Sequence, residues 1–190
     1  MALTFHGAGD PALARRVLRA FAAAGGHGTI LAVGVWLDAN PSIATAVLDG
    51  GHELGNHTWS HQVMPRLSAA EADAEVSRCA ALLTKTIGNH GAWFRPSGTP
   101  SSTPTIRAAA GRSGYANCLS YDVDPLDYTD PGATAVQTRV LDAARAGSIV
   151  SMHLGHEGTV LALPGILEGL AQRGLRAVTV GRLLGTTSSA

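Results

Sequence analysis

Short apolar runs alternate along the chain with longer segments whose apolar residues recur every three or four positions, a pattern that predicts strands alternating with amphipathic helices. Met1 to Phe5 is too brief for a helix and is followed by Gly7 and Gly9, so it reads as a buried strand ending near His6. Asp10-Pro11 then opens a helix: an Asp side chain accepts from the free amides of a first turn, and Pro at the first helical position has its φ already set. Leu13, Val17, Leu18 and Phe21 form the apolar stripe of this helix, and Gly25-Gly26 ends it. Gly28 to Val33 is the second strand. Asn40-Pro41 starts another helix running to about Asp49, and after Gly50-Gly51 the third strand covers His52 to Asn56.

The same order continues. Ser68 and Glu71 form a capping box for an Ala-rich helix to about Ile87, with Val76, Leu82, Leu83 and Ile87 on its apolar side. Trp93 to Arg95 reads as a short strand, and a loop from Pro96 to Ser102 leads to Thr103-Pro104 and a helix to about Arg112. Ala116 to Ser120 is the next strand. After the aspartate-rich loop Tyr121 to Pro131, a helix over Thr134 to Ala146 feeds the apolar strand Ser148 to Met152, which ends at His153. A helix over Val160 to Arg173 and a strand over Leu175 to Val180 complete the series, and the small polar tail from Gly185 to Ala190 is expected to fray. About seven strands alternating with helices predict an α/β fold, a distorted barrel of parallel strands forming a single domain over residues 1–190.

In such barrels the chemistry sits at the C-terminal ends of the strands. The reading places His6, His57, His61, Arg95, Asp122, Asp124, Asp127 and His153 there. His57 and His61 lie at i and i+4, which on a helical turn would bring their Cβ atoms to roughly 5–6 Å and let both rings reach one metal ion. Asn56 and Ser60 flank them as hydrogen-bonding groups. His27, His52 and His90 fall away from this mouth and are read as surface or structural residues.

Fourteen basic and fourteen acidic residues cancel, which argues against nucleic acid or anionic lipid as partner. Cys79 and Cys118 form neither a C-x-x-C pair nor a disulfide framework, though one bridge between them stays open. No apolar run is long enough to span a bilayer, and the opening residues lack the pattern of a signal peptide, so the compartment is left undetermined.

Taken together the segments resemble the polysaccharide deacetylase family, the NodB homology domain of carbohydrate esterase family four. Gly51-His52-Glu53-Leu54-Gly55-Asn56-His57-Thr58-Trp59-Ser60-His61 is similar to its metal motif and is the most specific piece. Phe94-Arg95-Pro96 resembles its arginine motif, Tyr121 to Tyr128 its aspartate motif, and Ile149 to His153 its final histidine motif. The first motif departs: the family has Thr-Phe-Asp-Asp-Gly-Pro, with a base and a metal ligand as the two carboxylates, and this chain has Thr4-Phe5-His6-Gly7-Ala8-Gly9-Asp10-Pro11. Asp10 is then either a helix cap, the third metal ligand, or both, and His6 is either the base or the third ligand.

The resemblance implies a metal-dependent hydrolase that removes acetyl groups from a carbohydrate. His57, His61 and Asp10 would hold one divalent ion, with zinc expected and cobalt or another transition metal as alternatives. His153, oriented by Asp127, would be the general acid, with His6 and Arg95 completing the catalytic set. Ser97 and Gly98 replace the family's Pro-Tyr-Gly near the oxyanion site, Tyr128 stands where a tryptophan lines the acetyl pocket, and Ser151 stands where a leucine does. These four are the expected substrate contacts. An acetylated carbohydrate is the implied partner and an extracytoplasmic location the implied setting; the oligomeric state is not legible. The competing expectations are a sugar- or metal-binding protein that has lost catalysis with the first-motif carboxylates, and a hydrolase of small non-sugar C–N bonds.

Overall fold

A computed structural model describes residues 1–186. Four parallel strands, β1 (Ala2–Gly7), β2 (Thr29–Ala32), β3 (Glu53–Asn56) and β4 (Ile149–His153), form one sheet in the order β3-β2-β1-β4. Beyond β3 the sheet continues through single parallel bridges from Asn56 to Phe94 and from Phe94 to Cys118, and beyond β4 through a bridge from Val150 to Val123. Because Cys118 and Val123 belong to one short stretch of chain, that stretch meets both edges and closes the sheet into a distorted barrel.

Three of the predicted strands shrink to single bridges, at Phe94, Cys118 and Val178. Each has a local cause. Pro96 has no N–H to extend the ladder past Arg95, and Thr179 turns the last segment directly into a helix by accepting from the Arg182 amide. The segment around Cys118 must leave one edge and reach the other within a few residues, so it cannot run straight along either.

Helices cover the outside: α1 (Pro11–Ala24), α2 (Gly34–Ala39), α3 (Ser42–Asp49), α4 (Ala69–Ile87), α5 (Pro104–Arg112), α6 (Ala133–Ala143), α7 (Glu157–Gln172) and α8 (Val180–Leu184). The caps at Asp10, Ser68 and Thr103 accept from the expected first-turn amides. Helix α2 was not expected, since its six residues follow Val33, which offers no capping side chain. Helix α7 begins at Glu157, three residues before the apolar pattern suggests, and α8 starts at Val180 where the strand had been extended. Of the tail expected to fray, residues 187–190 lie outside the described residues.

Alternation along β1 and β4 separates two environments. Leu3, Phe5, Val150 and Met152 face outward into the main core under the helices. Ala2, Thr4 and His6 face inward with Ile149, Ser151 and His153, their register partners on β4. The barrel interior is therefore layered. Ala2, Leu31, Trp93, Leu119 and Val180 plug its lower end, the buried polar groups of Thr4, Arg95 and Ser151 fill the middle, and the histidines lie above them. Among the described residues no helix is long and apolar enough to cross a membrane, and Cys79 and Cys118 are both free thiols.

Candidate active site

His6 occupies the upper end of β1, and His57 follows β3 directly. His61 reaches the same place by a different route from the helical turn expected. Residues 57–61 form no helix; Thr58 and His61 both take left-handed φ values, 70° and 60°, and this folds the loop back on itself. Positive φ is strained for side-chain-bearing residues, so neighbours must hold the loop. The buried Asn56 carboxamide oxygen accepts from the Thr58 amide at 2.8 Å, and Glu75 on α4 accepts from the Ser60 amide at 2.8 Å and hydroxyl at 2.6 Å. Glu75 was missed in the sequence, although a carboxylate three residues from Ala72 and four from Cys79 on the buried face of a helix is a signal that something polar packs there.

The result is a cluster in which one ligand atom from each of His6, His57 and His61 lies within 4.8 Å of the others. Asp10 is not part of it. Its carboxylate accepts from the Ala12 amide at 2.8 Å in an exposed cap of α1, so Asp10 sits as a helix cap, and the residue brought beside His57 and His61 is His6 rather than Asp10. Replacing Asp10 by alanine should cost about 1 kcal/mol of stability, as loss of an N-cap does, and leave metal affinity unchanged; denaturant unfolding and zinc titration check both.

The donor chemistry fits a divalent ion of the zinc type. His57 donates from Nδ1 to the Arg95 carbonyl at 2.8 Å, which leaves Nε2 as the lone-pair nitrogen. Both His57 Nε2 and His6 Nδ1 are buried without a hydrogen-bond partner, and an unpaired buried polar atom costs roughly 1–3 kcal/mol unless a ligand satisfies it. Burial holds His6 and His57 well below the usual histidine pKa, with the neighbouring histidines and Arg95 acting in the same direction. Both rings are thus neutral, the state in which imidazole ligates a metal.

Across from this cluster, His153 at the end of β4 has its ring centroid 4.4 Å from that of His6. His153 Nδ1 meets Asp127 Oδ1 at 2.8 Å, and Asp127 Oδ2 accepts from the His153 amide at 2.8 Å and from Thr159 Oγ1 at 2.6 Å. Burial opposes charge on Asp127, but its contacts with His153 and Thr159 outweigh that and hold its carboxyl below the ordinary carboxylate pKa. The carboxylate is therefore charged and fixes the ring, leaving His153 Nε2 for proton transfer. Thr159, at the start of α7, carried no signal in the sequence.

His6, His61 and His153 line a cleft of about 490 Å³ together with Pro96, Gly98, Tyr128 and Ser151. Ser97 does not line it. Its hydroxyl donates to the Gln62 carbonyl and accepts from Thr58, so the side chain braces the histidine loop from behind. Gly98 reaches the cleft with φ 68°, a conformation open to glycine, and a Cβ there would lie 3.0 Å from Val63 Cα. Arg95, expected in the catalytic set, does not line the cleft. It is 1 % exposed and donates to the Leu119 and Ser120 carbonyls and to Thr4 Oγ1. It pairs with neither Asp122 nor Asp124, which cap backbone amides of Ile149 and Leu126 instead. Desolvation lowers the Arg95 pKa to about 9, and its place is beneath the cleft.

A family model described as polysaccharide deacetylase matches residues 1–118. The peptidoglycan-N-acetylglucosamine deacetylase of Bacillus cereus is 31% identical over 188 residues, covering 97% of this chain and 87% of that protein. PdaC, the peptidoglycan-N-acetylmuramic acid deacetylase of Bacillus subtilis, is 27% identical over 183 residues, which make up 96% of this chain and 38% of PdaC; the solved PdaC structure superposes with a TM-score of 0.88, covering 97% of this chain and 89% of that one. A pseudoenzyme of carbohydrate esterase family four from Bacillus anthracis shares the fold at a TM-score of 0.90 and 24% identity, over 97% of this chain and 65% of the other. With the motifs at the mouth of a distorted barrel and a family match over more than half its length, the chain belongs to the polysaccharide deacetylase family.

Proposed function

We propose that this protein is a metal-dependent deacetylase acting on an N-acetylated amino sugar of a glycan. One observation carries the reading: three clustered histidines, two of them with unpaired buried nitrogens, lie beside a carboxylate-oriented histidine. His6, His57 and His61 would hold the ion, which supplies Lewis acidity toward the acetyl carbonyl. His153 holds a proton at Nε2 and delivers it to the leaving nitrogen, while Asp127 stabilises the charged ring and fixes its orientation. Gly98 and Tyr128 line the cleft; a backbone amide of the turn carrying Gly98 would meet the developing oxyanion, and Tyr128 would offer an aromatic wall. The relatives named for N-acetylglucosamine and N-acetylmuramic acid deacetylation support an N-acetyl amino sugar as the substrate class.

The test is acetate release from chitooligosaccharides and peptidoglycan fragments, with protein stripped by chelator and reloaded with zinc or cobalt. Release that depends on the added metal is expected. A protein that binds zinc and sugar but releases no acetate would replace this reading with a non-catalytic binding protein, the reading that the missing first-motif carboxylates favour.

A further inference from the structure

Resting on the metal-site reading above, we propose that Ser151 is a positioning residue that fixes the tautomer of His6 and turns its Nδ1 lone pair toward the ion. The two residues sit on neighbouring parallel strands and both face the barrel interior. Ser151 Oγ lies 3.2 Å from His6 Nε2. The second neighbour of that nitrogen is Arg95 Nη1, at 3.4 Å.

These neighbours demand opposite things of the ring. A guanidinium only donates, so a hydrogen bond from Arg95 would require a lone pair on Nε2 and a proton on Nδ1. That tautomer has no lone pair for a metal on Nδ1, the ring nitrogen left buried without a partner. A hydroxyl also accepts, so Ser151 can take a proton from Nε2 and leave Nδ1 bare. The network around Arg95 favours the second arrangement. Arg95 Nη1 is closer to Thr4 Oγ1, at 2.8 Å, and Thr4 is itself held by donating to the Val150 carbonyl at 2.6 Å. Arg95 Nη1 is also 3.5 Å from Ser151 Oγ. Its hydrogens thus have oxygen acceptors in Thr4 and Ser151, and the second lone pair of Ser151 Oγ is left to accept from His6. His57 is treated alike, its Nδ1–H being taken by the Arg95 carbonyl.

The two departures from the family pattern also explain each other. An aspartate at position 6 can accept from Arg95 with either oxygen and needs no other partner. A histidine there has a second ring nitrogen beside the strand position where the family has leucine, and leucine offers it nothing. Serine at 151 supplies the missing acceptor.

Zinc affinity by chelator competition tests this in the wild type and in Ser151→Ala, Ser151→Thr and His61→Ala, alongside a ¹⁵N NMR reading of the His6 tautomer in the zinc-loaded wild type. Loss of an outer hydrogen-bond partner typically weakens a metal about 10–100-fold, so Ser151→Ala should fall by that amount and Ser151→Thr, which keeps a hydroxyl, should recover most of it. The His6 ring should carry its proton on Nε2. An affinity in Ser151→Ala within about twofold of wild type, against that 10–100-fold expectation, overturns the inference. So does a proton on His6 Nδ1, whatever the variants do. If wild type binds zinc and His61→Ala weakens it while Ser151→Ala does not, the metal site stands and only the role of Ser151 falls. A wild type that binds no zinc removes both.

Discussion

Replacing His57 by alanine is expected to abolish zinc binding and acetate release together. His57 is fully buried, its Nδ1 is committed to the Arg95 carbonyl, and its Nε2 points at the cluster with no other partner. Removing it takes one of the three proposed ligands, so affinity should fall by more than the roughly 10–100-fold that follows loss of an outer partner. The substitution also leaves a cavity and an unpaired Arg95 carbonyl, and large-to-small changes in buried sites destabilise by about 2–5 kcal/mol. His61→Ala separates the two effects, because His61 is exposed and its removal leaves the interior intact. Loss of zinc and turnover in both variants, measured by titration and acetate release on protein shown to be folded, is the expected result. Undiminished metal-dependent turnover in either would overturn the ligand assignment.

His153→Ala should separate chemistry from binding. His153 is held by Asp127 on the far side of the cleft and supplies no atom to the three-histidine cluster. Zinc affinity is therefore expected to stay close to wild type, while kcat falls by about 10²–10⁴, the usual contribution of a general acid. Loss of the ring also strips Asp127 of a hydrogen bond and a charge partner, so its carboxyl pKa should rise. A variant that keeps both turnover and zinc would show that another group protonates the leaving nitrogen.

Much of this was written locally. Asp10-Pro11, the Ser68 and Glu71 box and Thr103-Pro104 mark helix starts because a capping side chain and the amides it serves are neighbours in the chain. The strands β1, β2 and β4 stood out because each is a short, mostly apolar run, and β3 was placed by the Gly50-Gly51 turn before it. The pairing of His153 with Asp127 was expected, on motif resemblance, and both lie where the strand-end rule puts them.

What the chain could not announce depends on partners distant in sequence. The strands at Phe94, Cys118 and Val178 shorten to bridges because ring closure and adjoining turns limit them, constraints invisible in their own residues. Asp10 carries a carboxylate suited equally to a cap or a metal; the third dimension separates the two, since His6 near the end of β1 faces inward while Asp10 lies beyond the strand on the exposed start of α1. Arg95 looked like a cleft residue from its place after a strand, but its side chain turns down into the barrel toward Thr4, Leu119 and Ser120. Local hydrogen bonding and hydrophobic period are properties of neighbours along the chain, so the sequence by itself determined the elements and the family motifs. Which nitrogen of which histidine is left free depends on groups brought from β1, β4 and the loops after β3 and Phe94, and only the tertiary structure decided that.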